Sequence, residues 1–199
     1  FALPLIAGNF LQQLYNMVDS IVVGRFVGTT ALAAVGTAFP VVFLLASLFM
    51  GLGLGAMVMV SQFYGAGDKE RLQATIDTIY TALIIGCIPL SLIGILLSGP
   101  IIAALGVPAD VLPEFRIYLL FMLGGLIGNL GYNVNSGILQ GLGDSTTPLL
   151  FLAIACGLNI VLDLVFVIFF HWGVAGVAAA TIIAQTFSWI FGVFYIIYH

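Results

Sequence analysis

Carboxylate and amide side chains stand inside apolar stretches of this sequence, at spacings that place them on common helix faces. Residues 157–166 read GLNIVLDLVF, where Asn159 and Asp163 lie four positions apart in a run that is otherwise almost wholly apolar. Asp19 stands in a similar run, VDSIVV. An unpaired carboxylate is costly in a protein core and in a lipid bilayer, so each Asp needs a partner, a bound cation or a water-filled cavity. Carboxylate, amide and hydroxyl oxygens suit a proton or a small hard cation such as Na⁺, rather than zinc or copper.

Other polar residues repeat at intervals of three and four positions within apolar segments, so each set shares one face of a helix. In lipid such faces turn inward, towards each other or towards water. The residues that we expect to line a polar cavity are Gln12, Tyr15, Asn16, Asn129, Asn133 and Gln185.

The composition indicates an integral membrane protein. Hydrophobic residues make up 62% of the 199 residues and charged residues only 6%, and the mean hydropathy is +1.26. A soluble domain carries about 25% charged residues, so this chain has too few charges to cover a water-exposed surface. Four Lys and Arg are too few to neutralise a nucleic-acid backbone, so nucleic acid is not an expected partner.

Apolar runs separated by Gly, Pro and charged clusters predict an all-α, polytopic bundle of six transmembrane helices, each long enough to cross the hydrocarbon layer. Within these spans Pro40 and Pro89 predict kinks, and the many glycines predict close helix packing. The predicted spans are about 3–24, 31–62, 72–98, 114–140, 147–170 and 173–198.

Depth in the membrane brings four of the polar residues together. Asp19 precedes the end of the first span by about five residues, and Asp163 precedes the end of the fifth by about seven. Thr181 follows the start of the sixth span by about eight residues, and at 1.5 Å per residue all three lie roughly 8–12 Å from the same membrane face. Asn159 lies one turn deeper. The sequence therefore predicts a proton or Na⁺ site formed by Asp19, Asn159, Asp163 and Thr181; the alternative is a hydrogen-bonded Asp that only locks two helices.

The remaining motifs predict structure rather than catalysis. YGAGD (64–68) and QGLGD (140–144) contain the Gly-x-Gly-Asp pattern of intramembrane aspartyl proteases, but the sequence has no Tyr-Asp pair. Both copies fit a turn whose Asp caps the next helix. Asp77, close to the charged DKER segment, is expected at a solvated helix end or paired with Lys69 or Arg71. We therefore predict no catalytic residues and no cofactor beyond a coupling ion.

Four longer stretches resemble the multidrug and toxic compound extrusion (MATE) family: LQQLYNMVDSIVVGRFVGTTALAAVG, SQFYGAGDKER, ILQGLGDSTTP and LNIVLDLVFVIFFHWGVAGVAAATIIAQ. The resemblance implies a fold of twelve helices in two lobes, of which this chain is similar to the amino-terminal lobe (residues 1–199), with the carboxyl-terminal lobe absent. It also implies a prokaryotic plasma or inner membrane and a cytoplasmic amino terminus. The cation ligands of one prokaryotic branch match Asp19, Asn159, Asp163 and Thr181.

The functional hypothesis is export of cationic amphipathic drugs, coupled to Na⁺ or H⁺ by alternating access, with the bilayer and the missing lobe as further partners. One alternative is a lipid-linked oligosaccharide flippase of the same superfamily, which would need cavity cations for pyrophosphate; the candidates Arg25 and Arg116 lie near helix ends. A second alternative is a non-transporting assembly subunit, which the intramembrane Asp pair disfavours.

Overall fold

The computed structural model describes residues 2–198, apart from the side chains of residues 2–5, 45, 46, 48 and 49. His199, for which the sequence predicts a position at the membrane interface, lies outside the described residues. Helices occupy all six predicted spans and strands are absent from the described residues, so the all-α prediction is confirmed. The α-helices are α1 (Ala2–Val22), α2 (Thr29–Gly65), α3 (Lys69–Leu96), α4 (Ser98–Leu105), α5 (Leu112–Gly124), α6 (Leu126–Gly141), α7 (Thr146–Leu164) and α8 (Gly173–Tyr198).

Length and hydropathy identify membrane-spanning candidates among the described residues. Lys69–Leu96, Thr146–Phe169 and Gly173–Tyr198 are each long and apolar enough to cross a bilayer, and α5 with α6 forms a fourth candidate as a bent pair. Large apolar side chains cover the outside of the bundle; Phe10, Leu44 and Ile85 are each more than 60% exposed. A surface of this kind requires lipid.

The fourth predicted span is broken, whereas the proline-containing spans are continuous helices. Helices α5 and α6 meet at an angle of 48° at Gly125, and the Ser91 hydroxyl of α3 donates a hydrogen bond of 2.5 Å to the carbonyl oxygen of Leu123 beside this break. Pro40 and Pro89 lie inside uninterrupted helices. The break therefore occurs where glycines leave the backbone free to bend and a neighbouring hydroxyl satisfies an exposed carbonyl.

Glycines let α6 pack closely against two neighbours, as the sequence predicts. A Cβ atom at Gly137 would overlap the carbonyl oxygen of Gly53 in α2, and one at Gly141 would lie 2.8 Å from the carbonyl oxygen of Met57. On the other side, a Cβ at Gly128 would overlap Thr186 of α8. The backbones thus approach to distances that no larger residue permits, which fixes α6 between α2 and α8.

Both Gly-x-Gly-Asp turns cap a helix, as expected from the sequence. Asp68 accepts a hydrogen bond from the Arg71 N–H at 3.1 Å at the start of α3. Asp144 accepts hydrogen bonds from the N–H groups of Thr146 and Thr147, each at 3.0 Å, at the start of α7. These aspartates stabilise helix N-termini.

The helices that carry Asp19 and Asp163 end in the same way. A π-helical turn, Val23–Val27, follows α1, and a second, Val165–Phe169, follows α7. The two turns contact each other and the start of α8. We call this end of the bundle, with its short connections at Gly28, 106–111 and 170–172, the hairpin end; π-turns of this kind are frequent at functional sites.

We expect Gly137→Ala to lower the thermal unfolding midpoint of the detergent-purified protein, because its methyl group would push α6 away from α2. The expected loss in the free energy of unfolding is about 1–3 kcal/mol, the usual range for overpacking. Gly157→Ala in α7 is the matched control, since nothing lies within 4 Å of its added Cβ. An equal loss in both variants would contradict the close α2–α6 contact.

Partial burial raises the pKa of Asp144, but hydrogen bonds from Thr147 and Thr146 outweigh it, so the pKa lies below its ordinary value. A depressed pKa contributes stability that is present above the unfolded pKa and lost as pH falls through the folded one. Asp144→Asn should therefore have a lower free energy of unfolding than the native protein at neutral pH. The difference between the two proteins should disappear in acid. Exposed Asp110→Asn is the control; a gap independent of pH would show that the charge of Asp144 contributes nothing.

Candidate cation site and cleft

The four predicted site residues lie together in the interior of the bundle. Asn159 and Asp163 of α7 are 0% exposed, while Asp19 of α1 is 8% and Thr181 of α8 is 7% exposed. Each lies on the buried face of its helix, whereas Met17, Val161 and Ile183 lie on the exposed faces of the same helices. Two carboxylates, an amide and a hydroxyl from α1, α7 and α8 thus lie together in one buried cluster.

The two carboxyl groups are close enough to share a proton. As ionised groups they offer each other no donor. Among the residues that the structure describes, none donates a hydrogen bond to Asp19 Oδ1 or to either carboxylate oxygen of Asp163. Buried polar atoms are nearly always satisfied, and two adjacent carboxylates repel each other at low dielectric. A proton or a monovalent cation between them would supply the missing partner.

The other polar groups of the cluster leave oxygen atoms free. Thr181 donates to the carbonyl oxygen of Val177 at 3.0 Å, and Asn159 Nδ2 lies 3.5 Å from Thr181 Oγ1. Asn159 Oδ1 is buried and accepts no hydrogen bond from the described residues. The donor set is therefore composed of hard oxygens, which fits H⁺ or Na⁺. The described residues contain no group of three or more His, Cys, Asp or Glu that could hold a transition metal.

A cleft of about 530 Å³ opens beside this cluster. It extends from Gln140 and Ser145 to a floor formed by Asp19, Tyr118 and Thr181, whereas Asn159 and Asp163 are not part of its wall. Asp19 and Thr181 thus separate the buried α7 residues from the cleft. All six residues expected to line a cavity are on the wall: Gln12, Tyr15, Asn16, Asn129, Asn133 and Gln185.

Several wall residues, chiefly apolar and aromatic ones, are not among those that the sequence pattern predicts. Tyr118 and Met122 line the cleft, as do Phe39 and Phe43 of α2, whose rings stack with centroids 5.8 Å apart. Extending the spacing of the α6 polar residues back from Asn129 by seven and eleven positions reaches Met122 and Tyr118, so a helical repeat could have found both. Nothing in the sequence separates Phe39 and Phe43 from the many lipid-facing phenylalanines.

The secondary candidates lie away from the site. Asp77 is exposed and accepts a hydrogen bond from Gln73 at 3.3 Å, and Arg71 pairs with Asp68 rather than with Asp77. Asp77 therefore has the solvated position expected for a helix end, with a different partner. Arg25 and Arg116 are exposed and are not part of the cleft wall.

Comparison with known proteins gives consistent matches. The MatE family model matches residues 4–165. The chain is 33% identical over 199 residues to a probable multidrug resistance protein, YpnP, of Bacillus subtilis, covering all of this chain and 45% of that protein.

Solved structures give the same result. An outward-facing multidrug resistance MATE family transporter of the MOP superfamily superposes with a TM-score of 0.90 at 30% identity, covering 98% of this chain and 43% of that one. A MOP superfamily transporter from Pyrococcus furiosus, whose binding pocket of reverse polarity suggests a different function, matches with the same values. The chain thus spans less than half the length of these relatives. It belongs to the MatE family of multidrug and toxic compound extrusion proteins, which are membrane transporters and not enzymes.

Proposed function

We propose that this chain forms one lobe of a transporter that exports cationic amphipathic small molecules in exchange for H⁺ or Na⁺. The observation that carries the proposal is the position of the carboxylate pair: Asp19 forms the floor of the cleft, and Asp163 lies directly behind it. One arrangement of residues can therefore respond both to a coupling ion and to a molecule in the cleft.

The chemistry of the cleft wall supports a cationic, amphipathic substrate. Asp19 is the charged residue on the wall, and no Lys or Arg of the described residues lies there. Aromatic rings such as Phe39 and Tyr132 offer flat apolar surface and cation–π attraction, and the amides of Gln12 and Asn133 offer hydrogen bonds that suit many partners.

Coupling requires that ion and substrate favour different states of the protein. A proton or Na⁺ held between Asp19 and Asp163 lowers the charge of the ionised pair from −2 to −1. The electrostatic attraction between the floor of the cleft and a bound organic cation is then weaker, which favours release of the organic cation. When the ion leaves, the charge returns and favours the next organic cation, so the two ligands exchange.

The two alternatives receive less support. A flippase for a pyrophosphate-linked lipid would need cationic side chains in the cavity, but Arg25 and Arg116 are outside it. A purely structural subunit would have no need of buried carboxylates that lack partners.

The place of this lobe in the whole protein is part of the proposal. Coverage of about two-fifths of each relative is consistent with the amino-terminal half of a two-lobed transporter in a prokaryotic plasma or inner membrane. A cytoplasmic amino terminus would place the hairpin end at the extracytoplasmic face of the plasma or inner membrane. A second lobe would complete the open side of the cleft.

Asp163→Asn should reduce ion-driven efflux of an organic cation such as ethidium from proteoliposomes by about tenfold or more, within the usual range of coupling energies. Asp77→Asn is the control, because this carboxylate is exposed and far from the cleft. Assays driven by Na⁺ alone and by H⁺ alone identify the coupling ion. Efflux at the native rate in Asp163→Asn would overturn the proposed mechanism.

Asp163→Asn should also raise the thermal unfolding midpoint in sodium-free, alkaline buffer, where neither cation separates the two carboxylates. Removing one of two buried like charges should stabilise the fold by about 1–4 kcal/mol, the range found when buried ionic groups are replaced. A loss of stability in Asp163→Asn, with Asp77→Asn unchanged, would instead favour an Asp that only locks two helices.

A further inference from the structure

We infer that a closed apolar layer separates the carboxylate pair from the hairpin end, so that the pair exchanges its cation only through the cleft. We call this layer the apolar seal, and it consists of Val22, Val23, Phe115, Val167, Val174 and Val177. The inference rests on the proposed function for its meaning in transport, but the seal itself is a property of the packing.

The first observation is where the cleft stops. Along each helix that borders it, the wall residues nearest the hairpin end are Asp19 in α1, Val35 in α2, Tyr118 in α5 and Thr181 in α8. In α7 the last wall residue is Leu152, well before Asp163. The cleft therefore ends at the level of the carboxylate pair and does not extend beyond it.

The second observation is what lies beyond that level. Val23, Phe115 and Val177 are 0% exposed, and Val22, Val167 and Val174 are at most 5% exposed. All six belong to one continuous cluster of buried apolar residues. They come from four segments of the chain. The residues next to α1, in α5 and in α8 lie about one or two turns closer to the hairpin end than the last wall residue of the same segment. Val167 lies about one turn closer to the hairpin end than Asp163.

The third observation explains how the seal closes at the helix ends. The π-turns Val23–Val27 and Val165–Phe169 contact each other and α8, and a Cβ at Gly173 would lie 3.6 Å from Val27 Cγ1. A π-turn is wider than an α-helical turn, and here it brings Val23 and Val167 to the interior. Arg25, in the first π-turn, and Arg116, next to Phe115, are both exposed, so neither guanidinium enters the layer.

The physical consequence is a barrier to ions. An apolar layer without hydrogen-bonding side chains offers no partners for water, and an ion that crosses it loses its hydration. An antiporter needs such a barrier, because an ion that reached Asp163 directly from the hairpin end would cross without exchanging for substrate. The seal would thus prevent uncoupled leak, a task distinct from binding the ion.

Cysteine accessibility tests the seal without requiring transport. In a Cys87→Ala/Cys156→Ala background, which removes both native thiols, single cysteines are introduced at Val23, Val167 or Asn16 of the membrane-embedded protein. We expect a membrane-impermeant maleimide to modify the cysteine at Asn16, on the cleft wall, and to modify those at Val23 and Val167 roughly tenfold more slowly or not at all, because buried thiols are unreactive. Equal rates at all three positions would refute the seal.

Passive ion flux provides the second test. Val23→Ser/Val177→Ser should increase H⁺ or Na⁺ leak through proteoliposomes in the absence of substrate, and adding Asp163→Asn should remove the increase. Val161→Ser is the control, since Val161 is 57% exposed on the outside of α7. No more leak in the double variant than in the control would contradict the barrier role, and if the double variant does not fold, the accessibility result decides. If the cysteine and leak tests support the seal but Asp163→Asn leaves efflux unaltered, the seal stands and the proposed transport mechanism is refuted.

Discussion

The burial of two neighbouring carboxylates is the constraint on which the rest of this bundle depends. Asp19 and Asp163 face each other inside an apolar helical protein, with oxygen atoms that lack donors. Such a pair is stable only with a proton or cation between its members and with helices held firmly enough to prevent the groups from turning to water. The π-turns at the ends of α1 and α7, together with the glycine contacts of α6, restrict the movement of the helices around this pair.

Close packing on one side of the bundle makes room for the cleft on the other. The contacts of Gly137 with α2 and of Gly128 with α8 draw these helices around α6. A further polar contact fixes α6: Asn135 accepts from the Tyr80 hydroxyl at 2.7 Å and donates to the Trp189 carbonyl at 2.8 Å. With α6 fixed by backbone contact and by this pair of bonds, the opposite face can remain open and polar without loss of the fold. The open face carries the amides of Asn129 and Asn133, and the packed face carries the glycines and Asn135.

The sequence predicted the buried cluster because its residues obey two simple rules. Helical spacing placed polar residues on one face, and distance from the span ends placed Asp19, Asp163 and Thr181 at one depth. The same rules could not predict the 48° break at Gly125, because the Ser91 hydroxyl that donates to the Leu123 carbonyl beside it belongs to another helix. They also could not predict the π-turns, since the wider turn follows from how the helix ends pack against α8. Pro40 and Pro89 lie within continuous helices, so neither proline ends its helix.

The most direct test of the account is infrared difference spectroscopy of the purified protein during a pH titration, which detects the C=O stretch of a protonated, poorly hydrated carboxyl group. If the two side chains share one site, a single such band should appear. Both Asp19→Asn and Asp163→Asn should shift or weaken it, the double variant should lack it, and Asp77→Asn should leave it unchanged. A band that one substitution abolishes and the other leaves untouched would mean that the two carboxyls titrate independently, and the shared site would be refuted.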